Sequence, residues 1–254
     1  MPHFTLFQWF LAIVGAMGIG VAKSGFSGVS LLHVLIFANL FTAKDSTGVV
    51  LPMLIVGDLF AVFIFRRHAR WEYVRRLLPP TALGVMIGAF FFHMISEAQF
   101  KPVIGAVILT LTALQLLRVC RPQLFEHIPH RLWFAWTMGL AAGITTMLAN
   151  AAGPITALYL LAVALPKFEL VGTSAWLFLV VNCFKVPFSA ANGVIHAETL
   201  LLNAALSPAI VCGLFAGRWL VARIPQRLFD TFLLIFAGLA AARMLGVFQL
   251  FTRF

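Results

Sequence analysis

The sequence predicts an all-α polytopic membrane protein made of two inverted-topology repeats of about five helical segments each. Apolar residues make up 62 % of the 254, charged residues 10 %, and mean hydropathy is +1.00, which excludes a soluble globular domain. Apolar runs follow one another with short breaks, and several reach the ~20 residues a helix needs to cross ~30 Å of hydrocarbon. The two halves of the chain also match: Gly18, Gly28, Gly48 and Asp58 fall against Gly143, Gly153, Gly172 and Asn182. After a short gap Pro79, Gly84, Gly88, Ile95 and Phe100 fall against Pro208, Gly213, Gly217, Ile224 and Phe229.

The division this implies is a first transmembrane repeat over 1–118, a cytoplasmic linker over 119–130, a second repeat over 131–247 and a tail over 248–254. The first run, 4–22, ends at Lys23 in the break KSGFSG. The second, 29–43, is short, since about 14 helical residues cover only ~21 Å. Run 48–65 is long enough to span and leads into a group of arginines; 77–94 and 101–118 complete the half. The second half repeats the plan with 131–148, the break ANAAGP (149–154), the short run 153–166, then 172–190, 200–221 and 228–247. None of the runs alternates polar and apolar residues as a barrel strand would. The connections are too short to hold a soluble catalytic or nucleic-acid-binding domain. The opening MPHFTLFQ lacks the positive segment of a cleaved signal, so the N-terminus is read as part of the mature protein.

A net charge of +10 resembles a nucleic-acid signal until the charges are located. Arg66, Arg67, Arg70, Arg75 and Arg76 crowd one connection; Arg118, Arg121 and Arg131 flank a second, and Arg218, Arg223 and Arg227 a third. Short Lys- and Arg-rich loops stay on the cytoplasmic side. The loops between them hold balanced pairs such as Lys44 with Asp45 and Glu97 with Lys101, and mark the outside. The partner implied by the charge is therefore the lipid bilayer, and no nucleic acid. Run 48–65 leads into arginines, whereas its counterpart 172–190 leads into 191–199, which has no Lys or Arg. Equivalent helices thus run in opposite directions. Arg243 and Arg253 then fall on the outer side, against the charge rule, but three basic clusters outweigh them.

The breaks are the candidate site. Lys23 is the one charged residue in 4–43, and ANAAGP has none; an uncharged small-residue turn suits a backbone break inside the protein. Non-helical backbone at membrane depth is tolerated only where it is buried or lines a polar cavity, and two breaks related by a repeat point to a transport site. Each break is followed by a helix N-terminus, whose free N–H groups suit an anion. Lys23 adds a charge or, alternatively, snorkels from a helix end. Ser24, Gly25, Ser27, Gly28, Thr145, Thr146, Asn150 and Gly153 offer hydrogen bonds or close backbone approach, with helix packing and capping as the alternative for the hydroxyls and Asn150.

Asp58 lies deep in its run, where an ionisable residue is functional by default. Proton or cation coupling, or pairing with Lys23, is favoured for it. Asn182 is its polar counterpart. Lys185, one turn from Asn182, either adds a second positive charge to the site or snorkels outward. Gly84 with Gly88, and Gly213 with Gly217, read as helix-packing pairs. His33 and His93 read as structural hydrogen-bonding groups. The three cysteines show no CxxC spacing and read as free thiols, and nothing calls for a cofactor or metal. GFSG (25–28) matches the nucleophile pattern of rhomboid-type proteases, but no histidine has the matching context and a duplication serves no purpose there.

AKSGFSG (22–28), Asp58 after VVLP, ANAAGPITALYLL (149–161), VGTSAW (171–176) and NCFKVP (182–187) together resemble the TauE/SafE family of sulfite and organosulfonate exporters. The resemblance covers nearly the whole chain. It implies a bacterial inner-membrane transporter of small, often sulfur-containing anions. The positions it carries over are Lys23, Ser24, Gly25, Gly28 and Asp58, then Asn150, Gly153, Pro154, Gly172, Thr173, Trp176, Asn182, Lys185 and Pro187. Ser27 stands where glycine is also usual. The expected function is a secondary transporter, read as an exporter, taking a small anionic substrate with a coupling proton or cation, with the oligomeric state left open. A passive anion channel is the alternative; counterflow separates the two.

Overall fold

The computed structural model describes residues 4–26, 29–121, 123, 132–221 and 223. Ser27, Gly28, most of the linker, the run 228–247, the tail and Arg243 and Arg253 lie outside them. Among the described residues the regular structure is helical: α1 (Leu6–Lys23), α2 (Ser30–Leu40), α3 (Ala43–Phe65), α4 (Trp71–Met94), α5 (Glu97–Cys120), α6 (Leu132–Ala149), α7 (Gly153–Ala162), α8 (Lys167–Ala191) and α9 (Ala197–Val221). Seven of these are long and apolar enough to cross a membrane, and α2 and α7 are the two short ones. The chain is a multi-pass membrane protein. Large side chains such as Phe7, Phe10, Phe63, Phe90 and Trp219 are exposed around the outside, as lipid contact requires.

Helix ends follow local chemistry. Thr5 and Gln8 form a reciprocal cap on α1, with the Thr5 N–H donating to Gln8 Oε1 at 2.9 Å. Thr42 caps α3. That helix starts five residues before the expected run, so Lys44 and Asp45 sit in its first turn rather than in a loop. Helix α4 likewise starts at Trp71 and includes Arg75 and Arg76. Arginine and glutamate favour helix, and Glu72 pairs with Arg76 at 2.7 Å; hydropathy marks the membrane part of such a helix, not its full length. Helix α7 stops at Ala162, ahead of the expected 166. Ala164 adopts φ 54° and the Leu165 N–H donates back to Leu160 O, closing the helix before Pro166 caps α8.

Three close helix crossings set the architecture. Gly139 packs on Leu77 and Pro80, Gly84 on Leu140 and Gly143, and Gly88 on Ile144 and Met147, so α4 and α6 run parallel. In the other crossing Gly213 packs on Met17, Gly20 on Ile210 and Leu214, and Gly217 on Val21, so α1 and α9 are also parallel. Absent side chains let the backbones meet. Helices α3 and α8 are antiparallel instead: Gly48 meets Val194 at one end, and Gly172 meets Phe65 and His68 at the other. At that second end the Arg70 N–H donates to Thr173 Oγ1 at 3.0 Å, and the guanidinium clasps Glu169 with two bonds of 2.7 Å. The breaks follow directly on two of these crossing helices, after Lys23 of α1 and Ala149 of α6.

Candidate substrate cavity

Both breaks are built by left-handed or otherwise unusual backbone. Gly25 has φ 117°, a value that a side chain would make strained. Its counterpart break turns on Asn150, at φ 52°, with the Asn150 N–H donating to Thr146 O at 3.0 Å. Asparagine is among the few side-chain-bearing residues that visit this region readily. Helix α2 restarts at Ser30 and α7 at Gly153, with Pro154 in its first turn.

The two breaks face one cavity of about 60 Å³, with Lys23 and Gly25 on one side and Asn150 and Gly153 on the other. One face of α8 completes it: Val171, Ser174, Phe178 and Asn182, spaced by three or four residues, all line the wall. From Asn182 this stripe runs toward the N-terminal end of α8, where Arg70 and Glu169 lie. A water-sized group needs ~10–15 Å³ of such space. The cavity therefore holds roughly four to six of them.

Its charges are arranged in two groups. Lys23 Nζ lies 2.5 Å from Asp58 Oδ1, over the Phe178 ring at 4.8 Å, and Asn182 Nδ2 donates to Asp58 Oδ2 at 2.7 Å. Asp58 is fully buried behind Lys23, which is itself 10 % exposed and reaches the cavity. Because α3 begins at Ala43, Asp58 sits nearer the arginine end of its helix than a start at residue 48 implies. In the second group Lys185 Nζ donates to Asn150 Oδ1 at 2.5 Å and to Thr146 Oγ1 at 3.2 Å. Lys185 is 2 % exposed and, among the described residues, forms no ion pair. The inward of its two sequence readings is the one the geometry has.

Asn150 connects the parts. Its Nδ2 donates to Thr47 O at 2.9 Å, and it lines both the main cavity and a second one of about 10 Å³ beside Ser46 and Thr47.

The candidate residues thus separate. Lys23, Gly25, Thr146, Asn150, Gly153 and Asn182 line the cavity, with Asp58 and Lys185 bonded directly to them. Ser24 instead donates to Val21 O at 2.7 Å and packs against Gly217. Thr145 donates to Ala141 O at 2.8 Å within its own helix. These two hydroxyls serve the capping and packing alternatives. Sequence reasoning missed Ser30, His33, Ser174 and Phe178, which also line the wall. Their helical spacing from Asn182 and from the break was the available signal. His93 is exposed, and His33 is buried without a hydrogen bond among the described residues, so neither has the structural bond expected of it.

Compared with protein families, residues 10–244 match the family described as sulfite exporter TauE/SafE. The chain belongs to that family. The match spans both breaks and all nine described helices but for the first four residues of α1, so the TauE/SafE assignment applies to both halves of the chain. The family is one of membrane transporters. No curated protein and no solved structure matches the chain.

Proposed function

We propose that the chain is a secondary transporter of the bacterial inner membrane that exports a small anion such as sulfite, a sulfonate or a related organic acid. The observation that carries this reading is that two backbone breaks, far apart in sequence, line one cavity together with Lys23. Two helix N-termini and a lysine make the donor set of an anion site. Bonded atoms pack closer than separate waters, so the volume suits an ion of roughly four to seven heavy atoms. The antiparallel α3 and α8, which are equivalent in the duplicated sequence, support alternating access by two inverted halves around a fixed site.

Asp58 is the coupling group in this reading. It holds the Lys23 ammonium, so the anion and the carboxylate compete for one cation. A proton or cation that neutralises Asp58 frees Lys23 for the anion, which links the two movements. Lys185 keeps a positive field on the Asn150 side.

The test is sulfite and sulfonate flux in proteoliposomes containing wild-type, Lys23→Ala or Asp58→Asn protein. Loss of flux with Lys23→Ala and altered pH dependence with Asp58→Asn are expected; unchanged transport in both removes the site assignment. Acceleration by substrate on the opposite side supports a carrier, and its absence with high flux supports a channel.

A further inference from the structure

Helix α2 places Ser30 and His33 three residues apart on one face, and both stand in the wall of the cavity. His33 is 1 % exposed, and neither Nδ1 nor Nε2 has a hydrogen-bond partner among the described residues. The polar groups around the same cavity are engaged elsewhere: Lys23 and Asn182 with Asp58, and Asn150 with Lys185 and Thr47. A buried imidazole in this state forgoes the hydrogen bonds of both nitrogens, a loss that a ligand or water entering the cavity would remove. Packing alone does not account for a histidine, because phenylalanine fills a similar space with no polar atom to satisfy.

We propose that His33 contacts the transported anion and selects anions that carry a hydrogen-bond donor of their own, a hydroxyl above all. The proposal rests on the anion-transport reading. A neutral imidazole has one N–H and one bare nitrogen. Lys23 and the N-termini of α2 and α7 present donors, which match the oxygens of any oxyanion. The bare nitrogen of His33 adds an acceptor, which matches only a ligand with a proton to give. Hydrogensulfite and hydroxyalkanesulfonates fall in the selected class; plain alkanesulfonates fall outside it.

Ethanesulfonate and 2-hydroxyethanesulfonate make a matched pair of probes, equal in charge and differing by one hydroxyl. Their binding to the purified full-length protein is measured by calorimetry. The wild type is expected to bind the hydroxylated ion roughly three- to tenfold more tightly, the worth of about one net hydrogen bond. His33→Phe is expected to bind both equally, near the wild-type affinity for ethanesulfonate, whereas His33→Gln, with a donor and an acceptor, keeps part of the preference. Equal wild-type affinities, or a preference unchanged in His33→Phe, overturns the role of His33 alone. Binding of neither probe by the wild type overturns the anion site itself. Should His33→Phe fail to fold, the wild-type imidazole ¹⁵N resonances decide, with His33 assigned by its absence from the His33→Gln spectrum. The hydroxylated ion must shift them more than ethanesulfonate does; equal or no shifts defeat the proposal.

Discussion

Asn182 Nδ2 donates to Asp58 Oδ2 at 2.7 Å, and these two residues hold the same position in the two halves of the duplicated sequence. In the proposed reading of two inverted halves, this contact across the antiparallel α3 and α8 sits at the axis relating them. One copy keeps a carboxylate there and the other an amide. The carboxylate is thus present once per chain, and it faces Lys23, whose counterpart in the second half is apolar.

The ion pair predicts unequal costs for its two partners. Removing one member of a buried pair costs about 3–5 kcal/mol because the other is left uncompensated. Lys23→Ala strands a fully buried carboxylate, whereas Asp58→Asn strands an ammonium that already reaches the cavity. Thermal unfolding in detergent should therefore show a larger drop for Lys23→Ala, and the double variant should recover part of it. Additive losses would deny the coupling.

Asp58→Asn should also flatten the pH dependence of transport. In the wild type, acid protonates Asp58 and releases Lys23, so anion affinity rises as pH falls. The variant has Lys23 free at every pH. Affinity of the probe anion measured across a pH series checks the sign; a wild-type affinity that rises with pH contradicts it.

Asn150 combines an unusual backbone with two hydrogen bonds, and two substitutions separate them. Asn150→Gly keeps the φ 52° conformation and loses the bonds to Lys185 and Thr47. Asn150→Ala loses both and adds about 1–2 kcal/mol of strain. Both should transport poorly, with the alanine variant also melting lower. Equal melting temperatures would show that the backbone carries no cost.

Close crossings make Gly84 and Gly213 intolerant. A Cβ at Gly84 meets the Leu140 carbonyl, and one at Gly213 meets that of Met17. Neither backbone can yield cheaply, so Gly84→Val and Gly213→Val should cost at least the ~1–3 kcal/mol of core overpacking. Gly18→Ala is the control, since its nearest neighbour is at an ordinary 3.7 Å. Monodisperse yield after size exclusion reports the difference.

The orientation of the halves is tested by labelling. Cys120, Cys183 and Cys212 are free and exposed, so they are replaced first. Single cysteines at positions 70 and 196 should then react from opposite sides of the membrane. Reaction of both from one side defeats the inverted arrangement.

Much of this was legible in the residues. Hydropathy located the helices because lipid demands apolar length, and small-residue turns located the breaks because nothing else in those stretches could end a helix. Residues Lys23, Asn150 and Gly153 followed from the breaks. For Ser24 and Thr145 the choice between site and capping stays open in the sequence for one reason: sequence places a hydroxyl beside a break without giving its direction, and both turn back onto their own helix. His33 reads as a structural hydrogen-bonding group and Phe178 is passed over as packing, because a lone histidine or phenylalanine in an apolar run carries no sign of the wall it lines.

The sequence by itself determined the class of protein, the membrane segments, the duplication and the two breaks, since each depends on composition or on spacing along one chain. Only the tertiary structure decided which polar groups meet. Lys23 finds Asp58, Lys185 finds Asn150, and His33 is left with an open cavity. Those pairings arise where helices distant in sequence cross, and the crossing is fixed by glycines such as Gly84 and Gly213, whose contacts no local pattern contains.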